Sequence, residues 1–182
     1  MKKIKILEKT FELFISSDEI DAINKRLAQA INRDFNGREV MFLPILNGAF
    51  IFAADLIRQV NLSCNVSFLK LASYKGVQSA GDVVKLIGIN ENLRGKVIII
   101  IEDIIDTGIT ISELIDNLKE QGPAEINIVT LLYKPDKCVR EIKIDYLGKE
   151  IGNRFVVGYG LDYNGFGRNL PDIYQEVVTS HF

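Results

Sequence analysis

Five consecutive β-branched residues at positions 97–101 (VIIII) constrain the fold of this chain more than any other segment. Valine and isoleucine favour strands, and an apolar side chain at every position requires that both faces of the strand be covered. Such a strand belongs in the centre of a parallel sheet. A helix is predicted to follow at residues 111–120, because its apolar residues recur at helical spacing and Gly122-Pro123 ends the pattern.

Shorter apolar runs alternate with helical patterns along the rest of the chain. Strands are predicted at residues 10–15, 40–43, 66–71, 83–89, 126–132 and 155–159. One helix is predicted after Ser16, which precedes Glu19 at capping-box spacing, and another from Gly48. This alternation predicts an α/β fold with a doubly wound, mostly parallel sheet.

The chain ends do not follow that alternation. A length of 182 residues fits a single domain. We therefore expect one domain with a core at about residues 37–150 and a small hood lobe built from residues 1–16 and 151–182.

Charge and composition restrict the partners. A formal net charge of −2 argues against a general nucleic-acid or membrane-surface binder, although a local pocket can still be positive. The first residues lack the continuous apolar stretch of a signal peptide, and no run approaches the length of a membrane span. The expected location is cytoplasmic, with no nucleic-acid and no membrane partner.

The segment after the strongest strand, residues 102–110 (EDIIDTGIT), has the composition of a ligand site. In open α/β sheets, ligands bind beyond the carboxyl ends of the strands. Residues 106–110 combine hydroxyls, a permissive glycine and the amino end of a helix, whose free amides favour a phosphate. An alternative is that Asp106 and Thr110 only cap the helix.

Two adjacent acids, Glu102 and Asp103, are expected where the strand ends. Carboxylates beside a phosphate are costly unless they accept hydrogen bonds from hydroxyls or face a metal-bound ligand. A sugar diol meets both demands. The alternative, that both acids are solvated, is disfavoured by the strand before them and the amphipathic helix after them.

Residues 97–110 resemble the signature of type I phosphoribosyltransferases, which bind 5-phosphoribosyl-1-diphosphate. The rest of the chain resembles the hypoxanthine-guanine branch of that family over nearly its full length. The supporting segments are residues 44–49 (PILNGA), 73–74 (SY), 131–134 (LLYK) and 155–164 (FVVGYGLDYN). The resemblance implies purine salvage, in which a magnesium-dependent enzyme transfers the phosphoribosyl group to hypoxanthine or guanine and releases pyrophosphate.

The same resemblance implies roles for the residues of the signature. Glu102 and Asp103 would hold the ribose hydroxyls, directly or through Mg²⁺, and Asp106 would be the general acid/base that faces N7 of the purine. The residues that would bind the 5'-phosphate are Thr107, Gly108, Ile109 and Thr110.

Four further residues are implied on the purine side. Lys134 would hydrogen-bond the 6-oxo group, Phe155 would stack on the base, and the backbone of Val156 would read its edge. Asp162 would position a magnesium ion through its waters. Without the resemblance, Lys134 would be interpreted as a solvated lysine, Phe155 equally well as a core residue, and Asp162 as a surface charge.

The pyrophosphate side involves two loops. Amides of the first would receive pyrophosphate, with a non-proline cis peptide nearby; its residues are Leu46, Asn47 and Gly48. Asn47 stands where the family frequently has lysine, so a cationic contact is not expected there. The second loop, residues 73–83, would be a lid from which Ser73 and Tyr74 reach the pyrophosphate, and Arg168 would contact the pyrophosphate from elsewhere in the chain.

Other functions are less favoured by these residues. A phosphoribosyltransferase for xanthine, adenine or a pyrimidine would keep the sugar site, but Lys134 with residues 155–156 favours a 6-oxopurine. A regulator that senses nucleotides or binds nucleic acid should lack the acid/base, and a nucleotide-binding structural protein is the remotest alternative. The resemblance also implies a homodimer or homotetramer, for which the apolar residues 50–52 (FIF) would suit a subunit interface.

Overall fold

A computed structural model of the chain describes residues 2–74, 83–87 and 91–178. The strands within these ranges are β1 (Lys3–Ile6), β2 (Lys9–Ile15), β3 (Val40–Leu46), β4 (Cys64–Val66), β5 (Leu69–Tyr74), β6 (Val83–Ile87), β7 (Val97–Ile105), β8 (Glu125–Tyr133), β9 (Tyr146–Glu150), β10 (Val156–Val157) and β11 (Ile173–Glu176). The helices there are α1 (Ser17–Asp34), α2 (Phe50–Ile57) and α3 (Ile109–Lys119), and a short 3₁₀ turn spans Pro135–Lys137.

The central sheet has the strand order β6-β5-β3-β7-β8-β9, and β4 also pairs with β3. All its pairings are parallel except that of β6 with β5. The predicted mostly parallel α/β sheet is therefore confirmed. Among the helices of the described ranges, none is long and apolar enough to cross a membrane.

Strand β7 lies in the middle of this sheet, and its four isoleucines at positions 98–101 are completely buried. Ile99 and Ile101 belong to the same hydrophobic cluster as the buried residues of α1 and α2. Ile98 and Ile100 pack instead with the buried residues of α3. Because successive side chains of a strand point to opposite faces, the apolar run is covered by helices on both sides, as predicted.

The predicted end of β7 at Ile101 was wrong. The strand continues through Glu102 and Asp103 to Ile105, which is paired with Tyr133 of β8. The neighbouring strand supplies hydrogen-bond partners for this part of the backbone, so the ladder persists although the side chains become acidic. The loop between β7 and α3 is thereby reduced to residues 106–108.

The helix starts follow from local chemistry. Ser16 caps α1, and its hydroxyl accepts a hydrogen bond from the amide of Glu19 at 3.3 Å, as the capping-box spacing predicts. Helix α2 begins at Phe50, two residues after the predicted start at Gly48. Residues 46–49 are therefore free to form a turn at the end of β3.

Both chain ends contribute to a second, antiparallel sheet with the order β1-β2-β11-β10. The predicted strand at 155–159 is reduced to β10, because Gly158, Tyr159 and Gly160 all have positive φ and leave the extended conformation. Ile15 and Ile173 of this sheet share a hydrophobic cluster with α1 and α2. The second sheet therefore packs on the helices that cover one face of the central sheet.

Candidate active site

The carboxyl ends of β3, β7 and β8 meet at one edge of the central sheet. They lead into residues 46–49, into residues 106–108 and into Lys134, respectively. Because neighbouring parallel strands end on the same side, three segments that are distant in sequence converge there. Two cavities open at this edge.

The first, here called the loop cavity, has a volume of about 160 Å³ and lies between the end of β7 and the start of α3. The predicted residues among those that line it are Glu102, Asp106, Thr107, Gly108 and Thr110. The side chain of Ile109 is exposed. The cavity therefore unites residues for which phosphate and ribose roles were predicted.

Gly108 shapes this cavity. It precedes α3 with a φ of 78°, a conformation that glycine adopts without steric cost. A Cβ there would also lie only 2.8 Å from the Cys138 sulfur. The first turn of α3 presents backbone amides without intrahelical partners, which is the arrangement that binds anions at helix N-termini.

The second cavity, here called the central cleft, has a volume of about 300 Å³. The predicted residues among those that line it are Gly48, Asp103, Asp106, Lys134, Phe155, Val156, Asp162 and Arg168. Leu161, which was not predicted, lies with them. Asp106 lines both cavities, so it stands where they join.

Asp106 has unequal surroundings at its two oxygens. Its Oδ2 faces two ammonium groups, Lys134 Nζ at 3.5 Å and Lys137 Nζ at 3.3 Å. Its Oδ1 is buried and has no hydrogen-bond partner among the described residues. Since a buried carboxylate oxygen without a partner is costly and the Asp106 side chain is 40% exposed, a rotation that brings this oxygen to a hydrogen-bond donor of a bound ligand would be favourable.

Lys137 was not predicted, because it is one lysine of a polar turn (KPDK) with no distinguishing pattern. The 3₁₀ turn Pro135–Lys137 brings its ammonium group to Asp106. Lys134 itself is only 4% exposed, which excludes the alternative of a solvated lysine.

Glu102 and Asp103 differ in orientation because they are consecutive residues of an extended strand. Glu102 lines the loop cavity, whereas Asp103 lines the central cleft. Burial, together with the neighbouring Asp103 carboxyl, raises the pKa of Glu102 well above its usual value. Burial also raises the pKa of Asp103, although its Oδ1 accepts a hydrogen bond from the amide of Ile104 at 2.9 Å. The two acids need a cation or hydrogen-bond donors to be fully ionised.

The turn after β3 approaches Asp103 closely. The peptide bond between Leu46 and Asn47 is cis, the side chain of Asn47 is exposed, and Gly48 reaches the cleft. A Cβ at Gly48 would overlap the Asp103 carboxylate. At Gly160, where φ is 99°, a Cβ would overlap the carbonyl oxygen of Gly48. Glycine at both positions therefore lets three segments pack against one another.

Phe155 is 39% exposed at the wall of the cleft. Its ring lies at 5.8 Å from the ring of Tyr163 and at 6.3 Å from that of Phe11, which is completely buried. The ammonium group of Lys9 lies 5.5 Å from the centre of the Phe155 ring. Phe155 is thus an exposed ring supported by neighbours and not a core residue.

Arg168 and Asp162 form an ion pair at 2.6 Å on the cleft wall. Arg168 also donates a hydrogen bond to the carbonyl of Gly160 at 2.6 Å. The second oxygen of Asp162 accepts from the amide of Gly165 at 2.7 Å. Both side chains are therefore held at the site by several contacts.

The predicted lid lies largely outside the described residues. Ser73 and Tyr74 are the last residues of β5, but their side chains and residues 75–82 lie outside the description. Their predicted contact with pyrophosphate stays a prediction.

Known proteins share this sequence and architecture. The pattern of the family described as "Phosphoribosyl transferase domain" matches residues 16–164. A protein of Lactococcus lactis named hypoxanthine-guanine phosphoribosyltransferase is 40% identical, with 92% of each chain covered. A crystal structure of a hypoxanthine-guanine phosphoribosyltransferase from Bacillus anthracis superimposes with a TM-score of 0.84 at 37% identity, covering 92% of this chain and 98% of the other. A hypoxanthine phosphoribosyltransferase from Staphylococcus aureus gives 0.85 at 34% identity, with 91% of each chain covered. The chain belongs to the phosphoribosyltransferase family, in its hypoxanthine-guanine branch.

Proposed function

We propose that the chain transfers the 5-phosphoribosyl group from 5-phosphoribosyl-1-diphosphate to hypoxanthine or guanine, giving IMP or GMP and pyrophosphate. The observation that carries the proposal is the position of Asp106, which lines both a phosphate-type loop cavity and a cleft with a lysine and an exposed aromatic ring. A reaction that joins a sugar phosphate to a flat base needs these two half-sites side by side. The family membership supports the same reaction.

In the donor half, the amides at the start of α3 and the hydroxyls of Thr107 and Thr110 bind the 5'-phosphate. Glu102 and Asp103, which line the loop cavity and the central cleft respectively, hold the ribose hydroxyls. The turn at residues 46–48 and Arg168 receive the pyrophosphate. Ser73 and Tyr74 complete this half when the lid closes.

In the acceptor half, the purine stacks on Phe155 and presents its 6-oxo group to Lys134. Burial of the Lys134 ammonium beside the cleft strengthens a hydrogen bond to that oxygen. The backbone of Val156 reads the edge of the base, which leaves hypoxanthine and guanine both acceptable.

Magnesium fits the residues that are present. Within the described residues, no three His, Cys, Asp or Glu side chains form a group suited to hold a metal ion by themselves. Mg²⁺ is usually held by one or two carboxylates together with substrate phosphates, so a full protein cage is not required. The raised pKa values of Glu102 and Asp103 mark carboxyls that a cation would stabilise as anions. Glu102, Asp103 and, through water, Asp162 would hold the ion, which would neutralise the charge of the departing pyrophosphate.

The reaction is a displacement at C1 of the ribose. The base forms its bond to C1 as the bond from C1 to the pyrophosphate oxygen breaks, and Asp106 accepts the proton that leaves N7. A positioned general base contributes typically about two to four powers of ten in rate. Lys134 and Lys137 keep the Asp106 carboxylate in place during this proton transfer.

The test is to incubate the protein with 5-phosphoribosyl-1-diphosphate and Mg²⁺ and to offer hypoxanthine, guanine, xanthine, adenine and uracil separately. We expect nucleotide and pyrophosphate to form with hypoxanthine or guanine, and chelation of the metal to stop the reaction. A product with adenine or uracil alone would assign another base, and no product with any base would refute the proposal.

The replacement Asp106→Asn tests the acid/base. We expect turnover to fall by about 100-fold or more, while the KM for each substrate changes far less, because the amide keeps the shape but cannot take the proton. Unchanged turnover would show that Asp106 is not the general acid/base. It would not affect the assignment of the chain to the family.

We also propose that the chain works as one domain, with a core at about residues 37–150 and a hood from residues 1–16 and 151–182, in a homodimer or homotetramer. The hydrogen bond from the hydroxyl of Tyr159 to Asp55, at 2.7 Å, supports a close connection of the two parts. Phe50 on α2 is 43% exposed, which suits burial against a second copy. Light scattering in solution would measure the number of subunits.

A further inference from the structure

Residues 158–160 have an unusual backbone. Gly158, Tyr159 and Gly160 have φ values of 104°, 50° and 99° in succession. A positive φ is unfavourable for a tyrosine, so the surroundings must stabilise this conformation. This turn joins the purine side of the cleft, at Phe155 and Val156, to Asp162.

The side chain of Tyr159 supplies that stabilisation. The residue is 5% exposed, and its hydroxyl accepts a hydrogen bond from Asn24 Nδ2 at 2.8 Å. The same hydroxyl donates to Asp55 Oδ2 at 2.7 Å. Asn24 lies on α1 and Asp55 on α2, so one hydroxyl links the turn to both helices.

Helix α2 begins directly after the turn at residues 46–49, which contributes Gly48 to the central cleft. Gly160, the neighbour of Tyr159, packs on the carbonyl of Gly48. The segment that contributes to the purine half of the cleft is thus joined to the pyrophosphate half at two adjacent points. One is the backbone contact of Gly160 with the carbonyl of Gly48. The other is the hydrogen bond from the Tyr159 hydroxyl to Asp55 on α2, the helix that follows the turn.

Asp55 is itself fixed in place. Its Oδ1 accepts from Arg58 at 2.5 Å, which leaves Oδ2 directed to the tyrosine. Burial and the hydrogen bond to Asp55 raise the pKa of Tyr159, so the hydroxyl stays protonated and continues to donate.

We infer that the Tyr159 hydroxyl is a positioning group for the reaction, which holds the purine-binding segment in a fixed relation to the pyrophosphate turn through Asp55. This inference rests on the proposed function. The hydroxyl touches no reacting atom. Its effect is on the distance between two bound substrates, to which bimolecular reactions are sensitive.

The test is Tyr159→Phe, with Tyr146→Phe as its matched control. Tyr146 is also a buried tyrosine whose hydroxyl donates to an aspartate of α1, Asp34, at 3.1 Å, but it lies on β9 and not in the segment that carries Phe155 and Asp162. Both replacements remove one buried hydroxyl and should lower the melting temperature. The turnover number kcat is then measured well below that temperature, for nucleotide formation in the forward direction and for the reaction of nucleotide with pyrophosphate in the reverse direction.

We expect Tyr159→Phe to lower kcat about fivefold or more in both directions, and Tyr146→Phe to leave both kcat values within about twofold of the wild type. Asp55→Ala should reproduce the effect of Tyr159→Phe, and the double variant should be no worse than either single variant, because both remove the same contact. If Tyr159→Phe does not fold, Asp55→Ala carries the test alone.

A wild-type kcat in Tyr159→Phe, or a decrease in only one of the two directions, would overturn the inference. Additive effects of Tyr159→Phe and Asp55→Ala would also overturn it. A wild-type protein that forms no nucleotide would instead refute the proposed function. The two failures are therefore distinguishable in one set of assays.

Discussion

The replacement Gly48→Ala is the sharpest test of the geometry at the cleft. It adds a single methyl group where the turn after β3 meets the end of β7. The new Cβ would lie far inside the 3.0 Å limit that real Cβ atoms keep, and the atoms it meets are those of the Asp103 carboxylate. Asp103 is 7% exposed and held by the amide of Ile104, so the carboxylate cannot simply turn into solvent.

The magnitude follows from the displacement required. Relief of the overlap moves either the Asp103 carboxylate or the turn by about 1 Å, and a misplacement of about 1 Å at a catalytic site can reduce the rate about 100-fold. A factor of 100 corresponds to about 2.7 kcal/mol in the activation free energy. We therefore expect kcat/KM for 5-phosphoribosyl-1-diphosphate to fall by about two powers of ten.

The assay is nucleotide formation under steady-state conditions, with unfolding followed by circular dichroism. Gly152→Ala is the matched control, because a Cβ at Gly152 would meet nothing within 4 Å and the residue is exposed. We expect that variant to keep wild-type activity. If Gly48→Ala folds and retains kcat/KM within about threefold of wild type, the tight approach of Gly48 to Asp103 has no bearing on the reaction.

Three further perturbations address other parts of the molecule. Lys134→Gln should raise the KM for the base about tenfold, because a charge-assisted hydrogen bond is worth about 1.5–3 kcal/mol, and should leave the KM of the donor nearly unchanged. Asp172→Asn should lower the free energy of unfolding at pH 7 by about 1–3 kcal/mol, because the amide of Ser17 and two side chains donate to this carboxylate. Those hydrogen bonds lower the folded-state pKa of Asp172, so the difference is full above the unfolded value of about 3.9 and disappears as the pH falls through the folded value. Phe11→Leu should raise the KM for the base about two- to tenfold through Phe155, because aromatic pairs contribute about 0.5–1.5 kcal/mol beyond burial.

Each of these has a result that contradicts it. Equal increases in both KM values would show that Lys134 does not act specifically on the base. A stability difference in Asp172→Asn that does not shrink as the pH falls below about 3.9 would mean that its charge is irrelevant. Phe35→Leu is the control for Phe11→Leu, since Phe35 is a buried ring at 6.3 Å from Tyr146, away from the cleft. A comparable increase in KM from both leucine variants would show a general loss of packing.

The elements that could be predicted are those that bury an apolar pattern along a single segment. Strand β7 and helix α3 are examples, because the spacing of their isoleucines and leucines indicates which of their faces are buried. Strands β1 (KIKI) and β9 (YLGKE) were not predicted, since half of their residues are polar and the pairing partner decides their structure. The acidic end of β7 was missed for the same reason: its backbone bonds come from β8.

The two cavities of the site also differ in how far the sequence could predict them. The loop cavity is built from one continuous segment, so the residues alone indicate its phosphate chemistry. The central cleft is assembled from residues separated by more than a hundred positions, from Gly48 to Arg168. Lys134 and Phe155 carry no local pattern that distinguishes them, and only the resemblance assigned them a role. Lys137 reaches Asp106 through a turn that neither pattern nor resemblance indicated.

The separate origins of the two cavities have a physical consequence for the choice of base. The loop cavity belongs to the central sheet, whereas Phe155 is supported by Phe11 on β2 and by Tyr163, which belong to the second sheet and its adjoining turn. Changes in the second sheet can therefore alter the fit of the base without moving the groups that bind the sugar phosphate. Asp106 lines both cavities, so a change of base that keeps its proton-bearing ring nitrogen near Asp106 preserves the proton transfer. The choice of base and the chemistry of the donor are consequently separable in this fold, provided that the contact of Gly160 with Gly48 keeps the two halves at a constant distance.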